Sequence, residues 1–465
     1  MSTTYDVIVL GAGSTGTNVA WYARDNGLSV AVVERELVGG ECSYWACIPS
    51  KALLGPTHAL AAARRLPGAA EAVTGDVDTD AVLRRRDGFI SHLHDDGQVQ
   101  WLDGIDATLV RGQARLTGER EVTVTSADGA RQRLLARRAV VVATGSRATT
   151  PPVDGLDEIR PWDNRDVTTA KDIPDRLLVL GGGVAGCEMA QAYRRLGARE
   201  VTVVERSDRL VGGFEPWASE LLADAFRTEG ITVRTGRSVV HASRDGVDGP
   251  VTIALDDGTQ LVGEELLVAA GRAANTDDLG LEAVGLEPGG PLRVDDQLRV
   301  TAVDGGWLYA AGDVNGRALL THQGKYQARL VGDIVAGKDR SAWADHTAVP
   351  QVMFTDPELA AVGRTEQQAR DAGVDVKTVT YEIGSVAGGA LLGDEVRGRA
   401  QLVIDQQQRV VVGATFVGPN VGEMLHAATI AVVGKVPIDT LWHAVPAFPT
   451  VSEVWLRLLE ADRGL

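Results

Sequence analysis

One skeleton occurs twice in this chain, and it limits the fold more than any other feature of the sequence. Tyr5-Asp6-Val7-Ile8-Val9-Leu10 is a short apolar strand that runs straight into Gly11-Ala12-Gly13-Ser14-Thr15-Gly16. A helical stretch reaches Asn26, and a second apolar strand, Val30–Val33, closes on Glu34. The same order returns with Leu177–Leu180, Gly181-Gly182-Gly183-Val184-Ala185-Gly186, a helix, and Val201–Val204 closed by Glu205. Each copy is a strand, a G-x-G-x-x-G turn, a helix and a strand ending in an acid: a βαβ unit. In such a unit the first Gly permits the tight turn, the second admits a pyrophosphate, and the third lets helix and strand pack closely. The pyrophosphate rests on the helix N-terminus, and the acid accepts from a ribose hydroxyl. One glycine motif is weak evidence, but two with matching strand, helix and acid predict two dinucleotide sites.

Further punctuation extends the layout. Ala139–Ser146 reads as a buried strand stopping at a glycine turn, with Leu266–Gly271 as its counterpart and Trp307–Asp313 as a third instance ending in an acid. After His346 the pattern becomes alternating strands and amphipathic helices, with strands expected at Ala400–Ile404 and Arg409–Val417. The expected fold class is α/β, with two doubly wound Rossmann-like nucleotide-binding domains plus a C-terminal α+β domain. The expected boundaries are 1–150 and 274–338 for one discontinuous nucleotide-binding domain, 151–273 for the second, and 346–465 for the C-terminal domain. A polar helix is expected over Asp80–Gln100, with His92 and His94 on its solvated face.

Composition removes several function classes. The net charge of −17 argues against a nucleic-acid partner, because neutralising phosphates needs a basic face. No apolar run approaches the ~20 residues of a membrane span. Three cysteines in 465 residues cannot staple the fold, which fits a reducing, cytoplasmic setting. Two of them, Cys42 and Cys47, are five apart, within reach of one another across one irregular helical turn. The spacing alone leaves two readings, a redox pair or two unrelated buried thiols. Cys187 reads as a packing residue, and no metal site is expected, since no Cys or His set falls at zinc spacing.

Taken in order, the motifs resemble the FAD-dependent pyridine nucleotide–disulfide oxidoreductases, the group of dihydrolipoamide dehydrogenase, glutathione reductase and mercuric reductase. The resemblance rests on Gly11–Gly16 with Glu34, the G-G-x-C-x-x-x-x-C-x-P-S-K stretch Gly39–Lys51, and Ala143-Thr144-Gly145. It continues through Gly181–Glu188, Ala311-Gly312-Asp313, Phe354–Glu358 and Gly418–Glu423, and so covers nearly the whole chain. It implies FAD in the domain 1–150 and 274–338, NAD(P) in 151–273, and dimerisation through 346–465. It also implies that Gly11, Gly13, Gly16 and Glu34 hold the FAD diphosphate and ribose, with Asp313 on the ribityl chain. Thr144, Gly145, Gly271 and Gly312 join the cofactor-binding set, and the helix starting near Thr321-His322 points its N-terminus at the flavin. Gly181, Gly183, Gly186 and Glu205 would hold the nicotinamide nucleotide. Lys51 and Glu188 match an ion pair beside the flavin, Cys47 the flavin-proximal thiol, and Cys42 the thiol that attacks substrate. Tyr44 and Trp45 are bulky where the family carries small residues. Glu205 favours a ribose 2′-OH, hence NADH, although Arg206 and Arg209 offer a phosphate site that would suit NADPH.

The family's last motif, H-P-T-x-S-E, departs here. The chain reads Phe448-Pro449-Thr450-Val451-Ser452-Glu453, so a phenyl ring stands where an imidazole would take the substrate thiol's proton and Glu453 would orient it. Phenylalanine at this place also resembles mercuric reductase, but no cysteine follows Cys187. The ketopropyl-coenzyme M carboxylating enzyme replaces the Glu as well, which Glu453 does not match. The expected function is a flavoprotein that passes a hydride from NAD(P)H via FAD to a Cys42–Cys47 disulfide and on to an electrophilic small molecule. The acceptor classes are an atypical disulfide, a soft metal ion or a quinone-like compound. One alternative is a dihydrolipoyl dehydrogenase-like reductase with His443 as substitute base; another is a redox sensor with little turnover. A homodimer with its active site at the subunit interface is implied by the resemblance.

Overall fold

A computed structural model describes residues 2–465. The chain divides into two compact units, Met1–Pro49, Asp87–Thr149 and Gly271–Asp345 forming one, Ser50–Arg86, Thr150–Ala270 and His346–Leu465 the other.

The first unit is built on a seven-stranded sheet. Thr108–Arg111, Val30–Glu34, Ser2–Leu10 and Arg131–Val142 lie side by side and parallel, and Leu308–Ala310 extends the parallel run along the end of the last. The start of that long strand pairs instead with the antiparallel hairpin Gln113–Gly118 and Glu121–Thr125. Val7–Leu10 and Ala139–Val142 are fully buried, as unbroken apolar runs in a sheet covered on both faces must be. Helices Ser14–Asp25 and Thr321–Val335 pack together through Val19, Ala20 and Ala23 against Ala328, Val331 and Ile334.

The second unit is built on three sheets. Its parallel sheet has the order Ile231–Thr235, Glu200–Glu205, Arg176–Leu180, Glu265–Val268. A three-stranded antiparallel sheet (Val239–Arg244, Val251–Leu255, Gln260–Gly263) accompanies it. The C-terminal part is a five-stranded antiparallel sheet, ordered Gln351–Met353, Glu358–Gly363, Val410–Gly418, Arg399–Asp405, Val376–Glu382. Helices Val421–Val433 and Val454–Arg463 cover it through Leu425, Ala428, Val454 and Leu458. The α/β class with a C-terminal α+β region matches the expectation from the sequence.

The helix expected over Asp80–Gln100 is broken. It forms as Thr79–Phe89 and Asp96–Gly104, with Ser91, His92 and Leu93 at positive φ between them. Tertiary contacts outcompete helix continuity here: Ile90 is buried against Tyr44 and Trp45, and the Asp95 carboxylate accepts the Val38 N–H at 2.7 Å. His92 and His94 are exposed.

Candidate functional site

The two glycine turns are the same object built twice. Gly11 and Gly181 sit at φ +98° and +113°, and a Cβ there would meet the carbonyl oxygens of Ala143 and Ala269 at 2.6 and 2.5 Å. At Gly16 and Gly186 a Cβ would lie 1.9 and 2.0 Å from the carbonyl oxygens of Gly11 and Gly181, so helix and strand can close down only on glycine. The acids repeat as well. Glu34 accepts the Ala12 N–H at 2.7 Å and the Glu36 N–H at 2.8 Å, while Glu205 accepts those of Gly182 and Ser207, both at 2.7 Å. Burial opposes ionisation of Glu205, but these two N–H groups prevail and hold its carboxyl below the usual value. A carboxylate offers about four lone-pair sites, so each acid keeps acceptor capacity for a ribose. Arg206 is exposed beside Glu205, and Arg209 turns to the Gly212 carbonyl.

In the first unit a cavity of about 250 Å³ opens over the first cradle, bordered by Gly11, Glu34, Thr144, Arg147 and Asn275. Asp313 follows the strand Leu308–Ala310 and accepts from the Ser146 hydroxyl at 2.6 Å, which Arg272 in turn meets at 2.7 Å. Burial pushes the Asp313 carboxyl up, against that hydrogen bond and Arg272. The carbonyl oxygen of Gly271 accepts from the Thr149 N–H at 3.1 Å.

The cysteines meet. Cys42 lies on the short helix Gly40–Tyr44, and Cys47 opens the helix Cys47–Arg64 after a bend at Trp45 and Ala46. The pair stands 2.6 Å apart, with neither sulfur in a disulfide. Thr321, first residue of the helix Thr321–Val335, brings its hydroxyl to 3.3 Å from Cys47 Sγ. The neighbouring Cys47 and burial push the Cys42 thiol far up, while Thr321 and Lys325 oppose them. Tyr44 and Trp45 explain the loop's stiffness: both are buried, and the Tyr44 hydroxyl donates to the Val38 carbonyl at 3.0 Å. Cys187 is fully buried with its thiol pushed up by desolvation, a packing residue.

In the second unit Lys51 Nζ lies 2.6 Å from Glu188 Oε2 and 4.8 Å from the Phe354 ring centre, while Glu188 Oε1 accepts the Phe354 N–H at 2.9 Å. Further along the helix Val184–Arg195, Gln191 grips Asp356 by both backbone groups, at 2.7 and 2.8 Å. Arg195 and Arg65 reach the Asp356 carboxylate at 2.9 and 2.6 Å, and His58, among these charges, is pushed down to about 4 by burial and the cations. The sequence pointed to the Lys51–Glu188 pair and to the motif holding Asp356, but not to Gln191, Arg195, Arg65 or His58. The only local signal of this polar ladder was the helical spacing of Glu188, Gln191 and Arg195, three apolar-helix positions occupied by polar residues.

At the C-terminal end Phe448 is 77% exposed. Glu453 is buried, and its Oε1 is taken by Arg457 Nη2 at 2.7 Å, while Oε2 has no hydrogen-bond partner. His443 is exposed, and the carboxylate is paired to Arg457 rather than to it. An i,i+4 Glu–Arg pair is legible in sequence, and this one was passed over. Among the described residues no group of three or more His, Cys, Asp or Glu is placed to hold a metal ion, and no helix is long and apolar enough to cross a membrane.

Residues 5–328 match a family model described as pyridine nucleotide-disulphide oxidoreductase, and residues 349–458 match that family's dimerisation domain. The chain is 34% identical over 451 residues to a mercuric reductase of Streptomyces lividans, covering 95% of this chain and 93% of the relative. It is 34% identical over 471 residues to a dihydrolipoyl dehydrogenase of Thermus scotoductus, covering 98% and 97%. A solved structure, the Cu(II) complex of the HOCl-induced flavoprotein disulfide reductase RclA from Escherichia coli, superposes with a TM-score of 0.86 at 23% identity, covering 99% of both chains, and so shares the fold. With two nucleotide cradles, a contacting cysteine pair and both family segments in order, the chain belongs to the pyridine nucleotide–disulfide oxidoreductases, FAD-dependent enzymes that draw on a pyridine nucleotide.

Proposed function

We propose that this enzyme passes two electrons from NADH, by way of FAD, to the Cys42–Cys47 pair and on to an electrophile that needs little proton handling from the protein. The contact between Cys42 and Cys47 beside Thr321 carries this reading. FAD, when bound, accepts a hydride and hands on its electron pair. The first cradle fits that group: a Cβ at Gly13 would meet nothing nearer than Gly40 Cα at 4.0 Å, so the N-terminus of the helix Ser14–Asp25 stands open to a phosphate, and the cavity bordered by Glu34 and Thr144 offers room for an adenosine. Asp313, with Gly312 before it, supplies a half-buried carboxyl for a hydroxylated chain, and Thr321 and His322 open the helix that faces Cys47. Gly181, Gly183, Gly186 and Glu205 hold the nicotinamide nucleotide, with the Glu205 carboxylate favouring NADH. Lys51, fixed by Glu188, supplies a positive charge for the flavin, as the resemblance assigns it.

Cys47 receives the electrons and Cys42 delivers them. Phe448 holds no proton, so dithiol–disulfide turnover that relies on a base at that position runs slowly; losing such a base costs about 10²–10⁴-fold. Activated disulfides, soft metal ions and quinone-like compounds are the acceptor classes this favours. The relatives named mercuric reductase support the soft-metal class. The exposed Val445 and Phe448, within the segment that matches a dimerisation domain, support a homodimer with the active site at its interface. A cysteine pair that must open and close in turnover suits a reducing, cytoplasmic setting.

Anaerobic titration of the FAD-loaded protein with NADH tests the assignment. A long-wavelength thiolate-to-flavin band is expected, and its decay on adding each acceptor class identifies the substrate. Full turnover in Cys42→Ser would overturn the role of the pair.

A further inference from the structure

The short turn Asp313–Asn315 is held from behind by a buried polar chain that the proposed chemistry leaves unused. Gly312, at φ +80°, lies against the first glycine turn, where a Cβ would meet Thr15 Oγ1 at 2.7 Å. Its N–H donates to Gln327 Oε1 at 2.7 Å, and Asn315 Nδ2 donates to the same oxygen at 2.8 Å. Gln327 Nε2 donates in turn to Asp345 Oδ2, and Gln323 Nε2, one helical turn earlier, to Oδ1, both at 2.8 Å. Gln327 is fully buried, and no part of the Asp345 side chain is exposed. The charge that answers Asp345 is Arg317, 3.6 Å away and shared with Asp296 at 3.0 Å. Only one orientation of the Gln327 amide satisfies both ends. A backbone N–H only donates, so Oε1 must face Gly312; Nε2 then needs an acceptor, and an ionised carboxylate only accepts. A group at position 345 that also donates would let the amide turn over and leave the Gly312 N–H buried without a partner, which is costly.

We propose that Gln327, aimed by Asp345, is a positioning residue for the flavin: it fixes the Gly312 N–H and so sets the direction in which the next residue, Asp313, presents its carboxyl. The proposal deepens the reading of this unit as the FAD site with Asp313 on the ribityl chain, and it rests on that reading. Asp313 is then aimed from two sides, by the Ser146 hydroxyl at 2.6 Å and, through Gly312, by Gln327. Because Gly312 also lies against Thr15 of the first glycine turn, the same clamp keeps the diphosphate and ribityl ends of the site in register before FAD docks.

A swap of acid and amide tests this. FAD-free protein is titrated with FAD, and the absorption spectrum of the bound flavin recorded, for wild type, Gln327→Glu, Asp345→Asn, the double variant and Gln323→Leu. Gln327→Glu sets two carboxylates face to face with no donor between them, and Asp345→Asn lets the amide turn over. Each weakens FAD binding roughly 10–100-fold, as expected for one buried hydrogen bond left unmade. In the double variant the introduced carboxylate accepts from Gly312 and Asn315 and the introduced amide donates to it, so most of the affinity and the wild-type spectrum return. Gln323→Leu takes the same kind of hydrogen bond from Asp345 without touching Gly312; it lowers the melting temperature while FAD affinity stays near that of wild type. Additive losses in the double variant would overturn the proposal, as would unchanged FAD affinity in both single variants or a loss in Gln323→Leu equal to that in Gln327→Glu. Should Gln327→Glu fail to fold, Asp345→Asn against the double variant still reads the rescue. Unchanged FAD affinity in Asp313→Ala, with the rescue intact, would instead overturn the assignment of Asp313 on which the proposal rests.

Discussion

The second and third glycines of the turn Gly181–Gly186, proposed above to hold the nicotinamide nucleotide, are assigned different jobs, and two alanine substitutions separate them. A Cβ at Gly183 meets no heavy atom within 4 Å, so Gly183→Ala should fold with unchanged stability. That open space lies at the N-terminus of the helix Val184–Arg195, where the Cys187 N–H already bonds the Gly183 carbonyl. A methyl group there displaces a pyrophosphate from charge-assisted N–H donors worth about 1.5–3 kcal/mol each. Loss of one such bond weakens nucleotide binding roughly 10–150-fold. At Gly186 a Cβ would stand 2.0 Å from the Gly181 carbonyl oxygen and 3.3 Å from Val179 Cγ1. Since the obstacle is backbone, the helix must retreat by roughly 1 Å to reach van der Waals contact, an overpacking cost of about 1–3 kcal/mol. The higher helix propensity of Ala returns up to about 1 kcal/mol of that. The assays are thermal unfolding and NADH binding in the FAD-loaded protein. Gly183→Ala should lose affinity at an unchanged melting temperature, and Gly186→Ala should lose melting temperature. An unaltered melting temperature in Gly186→Ala, or a lowered one in Gly183→Ala, would refute the assignment of packing to one glycine and ligand approach to the other.

Three further outcomes are expected. Phe448→His should raise the steady-state rate with dihydrolipoamide by about 10² or more, because Glu453 Oε2 remains open to orient an imidazole; no gain would show that the missing base is not what limits thiol exchange. His58, pushed down to about 4 by burial first and by Arg195 next, is neutral in the folded chain where the unfolded chain binds a proton. It therefore destabilises as pH falls from about 6.5 to 4, and His58→Gln should flatten the stability profile in that window and leave it unchanged at pH 8. Asp356→Asn leaves Arg65 and Arg195 without their shared carboxylate, and should cost on the order of 3–5 kcal/mol by chemical denaturation; Arg65→Gln, which keeps the more enclosed Arg195 contact, should cost less.

Local order explains what the sequence disclosed. The strands Val30–Glu34 and Glu200–Glu205 end on their acids because the next backbone N–H groups fold onto those carboxylates, a contact made within a few residues and so visible as spacing. Cys42 and Cys47 are likewise joined by a short bend. The break at Ser91–Leu93 was not visible, because Ile90 and Asp95 are drawn away by partners at Tyr44 and Val38, far off in sequence. The partners of Asp356 were hidden for the same reason: the residue stands in the motif Phe354–Glu358, but the two arginines that grip it come from far off in the chain.

The glutamate that ends each repeat strand also fixes the loop it serves: Ala12 and Gly182 are tied down by side chains from their own βαβ unit. For the nucleotide sites proposed above, a loop tied by its own unit has little chain entropy to surrender on docking, and a nicotinamide coenzyme could exchange without the loop melting in between.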